Sequence, residues 1–177
     1  MKKIILASLI SGAMSASAMA ATEDAGQGTV TFYGSIIDAA CGIAPESTDQ
    51  TVNLGQVASA QLEVKDGVAG TSRPVPFTIE LIDCNAETQD TATVTFTGGV
   101  NPNLDDSLAI QGQASGAGVQ IAGLDGVPVK LDGSKGTSLN IQNGDNSLLF
   151  SAYLKGDGQP IVPGEFTALA NFTMSYE

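Results

Sequence analysis

The sequence contains no histidine and no tryptophan, and its 7 lysines and arginines stand against 19 aspartates and glutamates. Without histidine, neither a Ser-His-Asp nor a Cys-His system can be assembled to activate a nucleophile. Few cations, never clustered, leave nothing to neutralise a phosphate backbone, which argues against nucleic acid as a partner. Two cysteines without histidine fall short of the four ligands of a structural zinc site. No stretch reaches the roughly 20 consecutive apolar residues that a membrane-spanning helix needs. Ser-Lys chemistry retains its residue types, yet Lys65, Lys130, Lys135 and Lys155 each lie within two residues of a glycine or aspartate, in turn-like settings. The adjacent Asp105 and Asp106 have no further ligands nearby in sequence and read as solvated loop carboxylates, not as a metal or acid-base couple. No enzymatic activity, cofactor, metal or small-molecule substrate is expected.

What is present begins with the first twenty residues. Lys2 and Lys3 precede an apolar run from Ile4 to Ile10, and small residues follow, ending in Ala18-Met19-Ala20. That order of charge, apolar core and cleavage site is a secretory signal peptide. Residues 1–20 are therefore expected to be removed, leaving 157 of the 177 residues, enough for one domain with a substantial core. Loss of the two leader lysines takes the formal net charge from −12 to −14, which speaks to solubility and not to fold.

Export to an oxidising compartment makes a disulfide the default state of Cys41 and Cys84. Closing a loop across 43 positions contributes about 4 kcal/mol in the chain-entropy account.

Between residue 28 and residue 177, short runs rich in Val, Ile, Phe and Thr alternate with Gly, Asn and Asp turn signals, and no 3.6-residue period is sustained. The pattern is all-β. Strands are predicted over Thr51–Leu54, Val75–Ile82, Ala92–Thr97, Ser107–Gln111, Val119–Ala122, Val127–Leu131, Ser138–Ile141 and Leu148–Leu154. Asp125-Gly126 and Asn143-Gly144 are turns, and Gly112–Gly118 is a flexible loop. Turn signals about every ten residues favour an antiparallel immunoglobulin-like sandwich over alternating βα units.

The two ends of the mature chain are the most informative. Phe166, Ala168, Ala170, Phe172, Met174 and Tyr176 alternate without a break with Thr167, Leu169, Asn171, Thr173 and Ser175, predicting one long strand ahead of Glu177. Val30, Phe32, Gly34 and Ile36 form a second alternating strand, entered through the acidic stretch Ala21–Gly28. By this count the sandwich is one strand short. A sheet without its final strand exposes backbone donors and acceptors beside an apolar groove, a template for strand addition. The alternative for Tyr176 read by itself is a core aromatic with its hydroxyl at the rim. Asn171-Phe172-Thr173 matches a glycosylation sequon but falls inside the strand, and is read as coincidence.

The same residues resemble a known family. Gly28-Thr-Val-Thr-Phe-Tyr-Gly34 leading to Asp38-Ala-Ala-Cys41, then Gln50-Thr-Val-Asn-Leu-Gly-Gln-Val57, Phe77-Thr-Ile-Glu-Leu-Ile-Asp-Cys84, Gly118-Val-Gln-Ile121 and the penultimate Tyr176 are similar to chaperone–usher fimbrial subunits, close to type 1 major pilins. Gly164 stands fourteenth from the end, where such subunits place a glycine, and Cys41 and Cys84 match their bridge. The resemblance implies a signal peptide (1–20), an N-terminal extension (21–37) that serves as a donor strand, and a pilin domain (38–177). It implies an incomplete sandwich completed by donor-strand exchange, with other pilin subunits, a periplasmic chaperone and an outer-membrane usher as partners. It also implies a fimbrium at the cell surface that supports adhesion. In that reading Gly164, the Phe166–Tyr176 strand and the Glu177 carboxylate form the surface that the chaperone grips. A minor or adaptor pilin is the alternative within the family; a tip adhesin would need a second domain. A stand-alone secreted binding module is the alternative outside it, weakened by the lack of tryptophan for sugar stacking.

Overall fold

The computed structural model describes residues 28–36, 38–87, 89–134 and 136–177. The expected signal peptide, the start of the extension up to residue 27, Ile37 and Lys135 lie outside the described residues. The chain divides into two units after Ile36, and the fold is that of the second.

Among the described residues its elements are β1 (Gly42–Ile43), α1 (Pro45–Thr48), α2 (Ser59–Leu62), β2 (Val75–Cys84), β3 (Thr91–Gly98), β4 (Leu108–Ala109), β5 (Gln111–Gly112), β6 (Ala117–Ala122), β7 (Thr137–Asn140), β8 (Gly144–Gly156), β9 (Phe166–Thr167) and β10 (Ala170–Tyr176). One sheet has the order β1-β2-β8-β6-β4 and a second the order β10-β3-β7, while β5 and β9 form a short ribbon. All the pairings between these strands are antiparallel. The two sheets face each other as an immunoglobulin-like sandwich that is incomplete along one side.

The core follows from alternation. Ile79 and Leu81 on β2, Ala92, Val94 and Phe96 on β3, Val119 and Ile121 on β6, and Leu148, Phe150, Ala152 and Leu154 on β8 are all buried. Phe96 meets Phe150 across the sandwich edge-to-face, with ring centroids 5.1 Å apart and an interplanar angle of 84°. Phe150 stacks in turn on Phe77 at 5.7 Å, and Phe96 reaches Phe172 on β10 at 6.4 Å. These four rings tie both sheets together and end at the strand that borders the opening.

The disulfide depends on a break in the same alternation. Strict period two would turn residue 83 inward after Ile79 and Leu81, but the β2–β8 register shifts between Leu81 and Cys84. Asp83 takes up the extra residue at φ 52°, in the left-handed region, and its N–H donates to Oδ1 of Asp145 at 3.3 Å. This bulge turns Cys84 into the core, where it is joined to Cys41 with an S–S distance of 2.08 Å.

Several expected elements differ. Thr51–Leu54 is not a strand: Asn53 Oδ1 accepts the N–H of Gly55 at 2.8 Å, and this local turn displaces ladder pairing. Val127–Leu131 is held to β6 by a bridge between Ala122 and Pro128 and by the Val129 N–H to Ile121 O bond of 2.8 Å, but Pro128 has no N–H to extend the ladder. Ser107–Gln111 splits at Ile110, because β4 pairs with β6 whereas β5 pairs with β9. The expected loop Gly112–Gly118 is shortened at both ends by β5 and β6. The single-turn helices α1 and α2 were not expected, being too short to show a period. The long C-terminal strand is broken at Ala168-Leu169, where the chain leaves its pairing with β5 and joins β3. Inward alternation nevertheless continues through the break.

Phe96→Ala should lower the stability of the disulfide-bonded chain by about 3–5 kcal/mol, since it removes the ring that links the sheets. Leu149→Ala, on the exposed face of β8, should change it by about 0.5 kcal/mol or less. Urea unfolding checks both.

Candidate functional site: an open groove beside the last strand

Among the described residues β10 has one strand neighbour, β3, and β1 has one, β2. These edge strands belong to different sheets, and between them lies a groove with a cavity volume of about 500 Å³. Its β10 wall is formed by Phe172, Met174 and Tyr176 with the intervening Thr173 and Ser175; its other wall by Asp38, Ala39, Cys41 and Ile43. The inward residues of β10, Ala170, Phe172, Met174 and Tyr176, are only partly buried although they pack against the core. Their backs touch the sandwich interior, and the other sides of Phe172, Met174 and Tyr176 border the open groove. As an edge, β10 also presents alternate backbone N–H and C=O groups outward.

At one end a side-chain hydrogen bond spans the groove. The Tyr176 hydroxyl donates to the carbonyl oxygen of Cys41 at 3.4 Å, and partial burial pushes the phenol above its ordinary pKa. Gln89 Nε2 donates to the Tyr176 carbonyl at 3.4 Å. Glu177 continues the pairing beyond Tyr176: its N–H donates to Thr91 O at 2.9 Å, and Thr91 N–H returns a bond to Glu177 O at 3.1 Å. The disulfide fixes Cys41, and with it the second wall, to β2.

The rest of the predicted C-terminal set lies further along. Phe166 and Ala168 are partly buried against the core, and Phe166 pairs with Gly112 through β9. Gly164 is held by a close approach: a Cβ there would come within 2.7 Å of Gln113 Cβ and 2.8 Å of Ala114 N. Any side chain would push the two backbones apart. Residues 28–36 have no regular secondary structure, and Val30, Phe32 and Ile36 are exposed at 75%, 89% and 104% of their full surface. Gly34 has open space where a Cβ would stand. Asp38, Ala39 and Ile43 line the groove but were not assigned as site residues from sequence, although Asp38 and Ala39 stand in the motif that carries the resemblance; the alternation of the facing strand carries no signal for what stands opposite it.

The fimbrial protein family model matches residues 30–177. The chain belongs to that family. It is similar to the Fimbria A protein of Serratia marcescens, 45% identical over 179 residues that cover 100% of this chain and 99% of the relative. Among solved structures, it is similar to a subunit of a chaperone–usher pilus, with a TM-score of 0.74 and 32% identity over 88% of this chain and 99% of the other. It also resembles the P pilus rod subunit PapA, with a TM-score of 0.68 and 29% identity over 78% of this chain and 100% of that one. The fimbrial protein described here is thus a structural pilin, and the open groove is a feature of a building subunit.

Gly164→Ala should cost this pilin on the order of 1–3 kcal/mol, because the added methyl overpacks a backbone contact. A fall in thermal midpoint with an unchanged far-ultraviolet circular dichroism spectrum would bear this out; an unchanged midpoint would show that the 113–114 segment yields freely.

Proposed function

We propose that this pilin is a chaperone–usher fimbrial subunit that polymerises by donor-strand exchange: residues 28–37 of one copy enter the groove of another and complete its sandwich. The observation that carries the reading is the apolar groove bordered by the unpaired edge of β10. Val30, Phe32 and Ile36 would fill the groove, and Gly34 would let the donor backbone approach a shallow part of it. Burying each large side chain contributes about 1.5–3 kcal/mol before ordering costs. Each ladder hydrogen bond adds about 1 kcal/mol net. Fixing the strand's backbone opposes this by about 1–2 kcal/mol per residue, so the side-chain contribution is required.

A copy is poorly placed to fill its own groove. Asp38, Ala39 and Cys41, which follow the extension directly, already form one wall, leaving no length in which the chain could reverse. A partner must therefore act at each stage. A periplasmic chaperone holds the Gly164–Glu177 region and lends a strand, and an outer-membrane usher exchanges that strand for the next subunit's extension. The product is a homopolymer or mixed polymer at the cell surface, a fimbrium that supports adhesion, with no catalytic role for this chain. Residues 1–20 would act as the export signal and 38–177 as the pilin domain.

Phe32→Asp tests the donor strand. The variant should be exported, disulfide-bonded and chaperone-bound, while its yield in fibres sheared from cells falls about ten-fold or more, since a buried unpaired charge is strongly disfavoured. Normal polymerisation would overturn the assignment.

A further inference from the structure

The chain holds four methionines, of which Met1, Met14 and Met19 lie in the first twenty residues and Met174 stands alone after them. Met174 lies in the groove wall between Phe172 and Tyr176, half-buried, opposite Val94 of the core in the β10–β3 register. Both cysteines are paired, so no free thiol competes for an oxidant. After removal of the signal peptide, the one sulfur open to two-electron oxidation would thus stand inside the site that assembly must fill.

We propose that Met174 is an oxidation site at which a peroxide blocks strand acceptance, so that the subunit is vulnerable before assembly and protected after it. The inference rests on the donor-strand reading above. In the reaction, the thioether sulfur attacks one oxygen of hydrogen peroxide, the O–O bond breaks, a sulfur–oxygen bond forms and the second oxygen departs as water. The sulfur is oxidised by two electrons and the peroxide reduced by two. The sulfoxide replaces a flexible apolar group with a polar, chiral one. Ile43 and Phe172 line the same groove with apolar surface, and an inserted strand would shut out the water that could solvate its oxygen. In the finished fibre the same inserted strand would cover the sulfur and keep peroxide away.

The test uses the mature chain, without its signal peptide, as free subunit and as fibre, exposed to hydrogen peroxide and followed by intact mass. The free subunit should gain one oxygen, mapped to Met174, about ten-fold faster than the fibre. Oxidised subunit should then polymerise about ten-fold more slowly than untreated subunit, while Met174→Leu should polymerise at the same rate before and after peroxide. Equal oxidation of subunit and fibre, or normal polymerisation of fully oxidised subunit, overturns the proposal alone. Failure of the untreated chain to polymerise under any condition overturns the donor-strand reading, and this proposal with it.

Discussion

A strand inside a sheet has its polar backbone satisfied on both sides, whereas among the described residues β10 is paired along β3 alone. Its inward side chains are in the same position, resting on the core from behind and open in front. Backbone polarity and apolar surface are thus left unmatched in the same place, and a single added strand would answer both. A loop could cover the side chains but would leave the ladder open, and a helix would do the same. The groove therefore asks for an extended chain with alternating apolar residues, which is the pattern of Val30, Phe32 and Ile36.

The remainder of the sandwich confines the opening to that side. Opposite β10, the exposed edge of β2 is covered without a full strand. β1 pairs with Leu81 and Ile82, the Ala44 N–H donates to Glu80 O at 3.0 Å, and the buried Ser47 Oγ accepts the Glu80 N–H at 2.9 Å. Gln50 Nε2 then donates to Thr78 O at 2.7 Å. Side chains and one helical turn stand in for ladder bonds, so this edge offers little to a foreign strand. The disulfide anchors the beginning of the same segment, and the Phe77–Phe150–Phe96–Phe172 series supports β10 from below. One wall is covalently pinned and the other is packed on aromatic rings.

How much of this could be read in advance depended on how local the determining physics was. The faces of β2, β3 and β10 were legible because period-two alternation is written in consecutive residues. The inward set from Phe166 to Tyr176 was right even though the strand itself is broken, since burial parity survives a change of partner. The break was not legible, because it depends on which strands β5 and β3 happen to border. The bulge at Asp83 was also hidden: an aspartate before a cysteine says nothing about φ, and only the pairing with β8 shows the added residue. Pro45 was a local signal for α1 that could have been used, since proline favours the first turn of a helix. The wall formed by Asp38, Ala39 and Ile43 had no comparable signal; it is a consequence of where the disulfide and β1 hold the chain.

Charge bears on how such copies can join at all. The chain carries a formal net charge of −12, and like-charged subunits repel at long range. At physiological ionic strength that repulsion is screened beyond about 8 Å, so it slows encounter more than it weakens close contact. Close contact is where the sequence is neutral. Residues 28–37 and 166–176 contain no charged side chain, although 26 of the 177 residues are charged. Among the described groove-lining residues Asp38 is the one carboxylate, and it is exposed. The acidity is thus kept to surfaces that remain in water, and the segments proposed to meet rely on apolar burial and main-chain hydrogen bonds. Neither of those weakens with salt, so a fibre joined this way is expected to hold together across the ionic strengths that a cell surface meets.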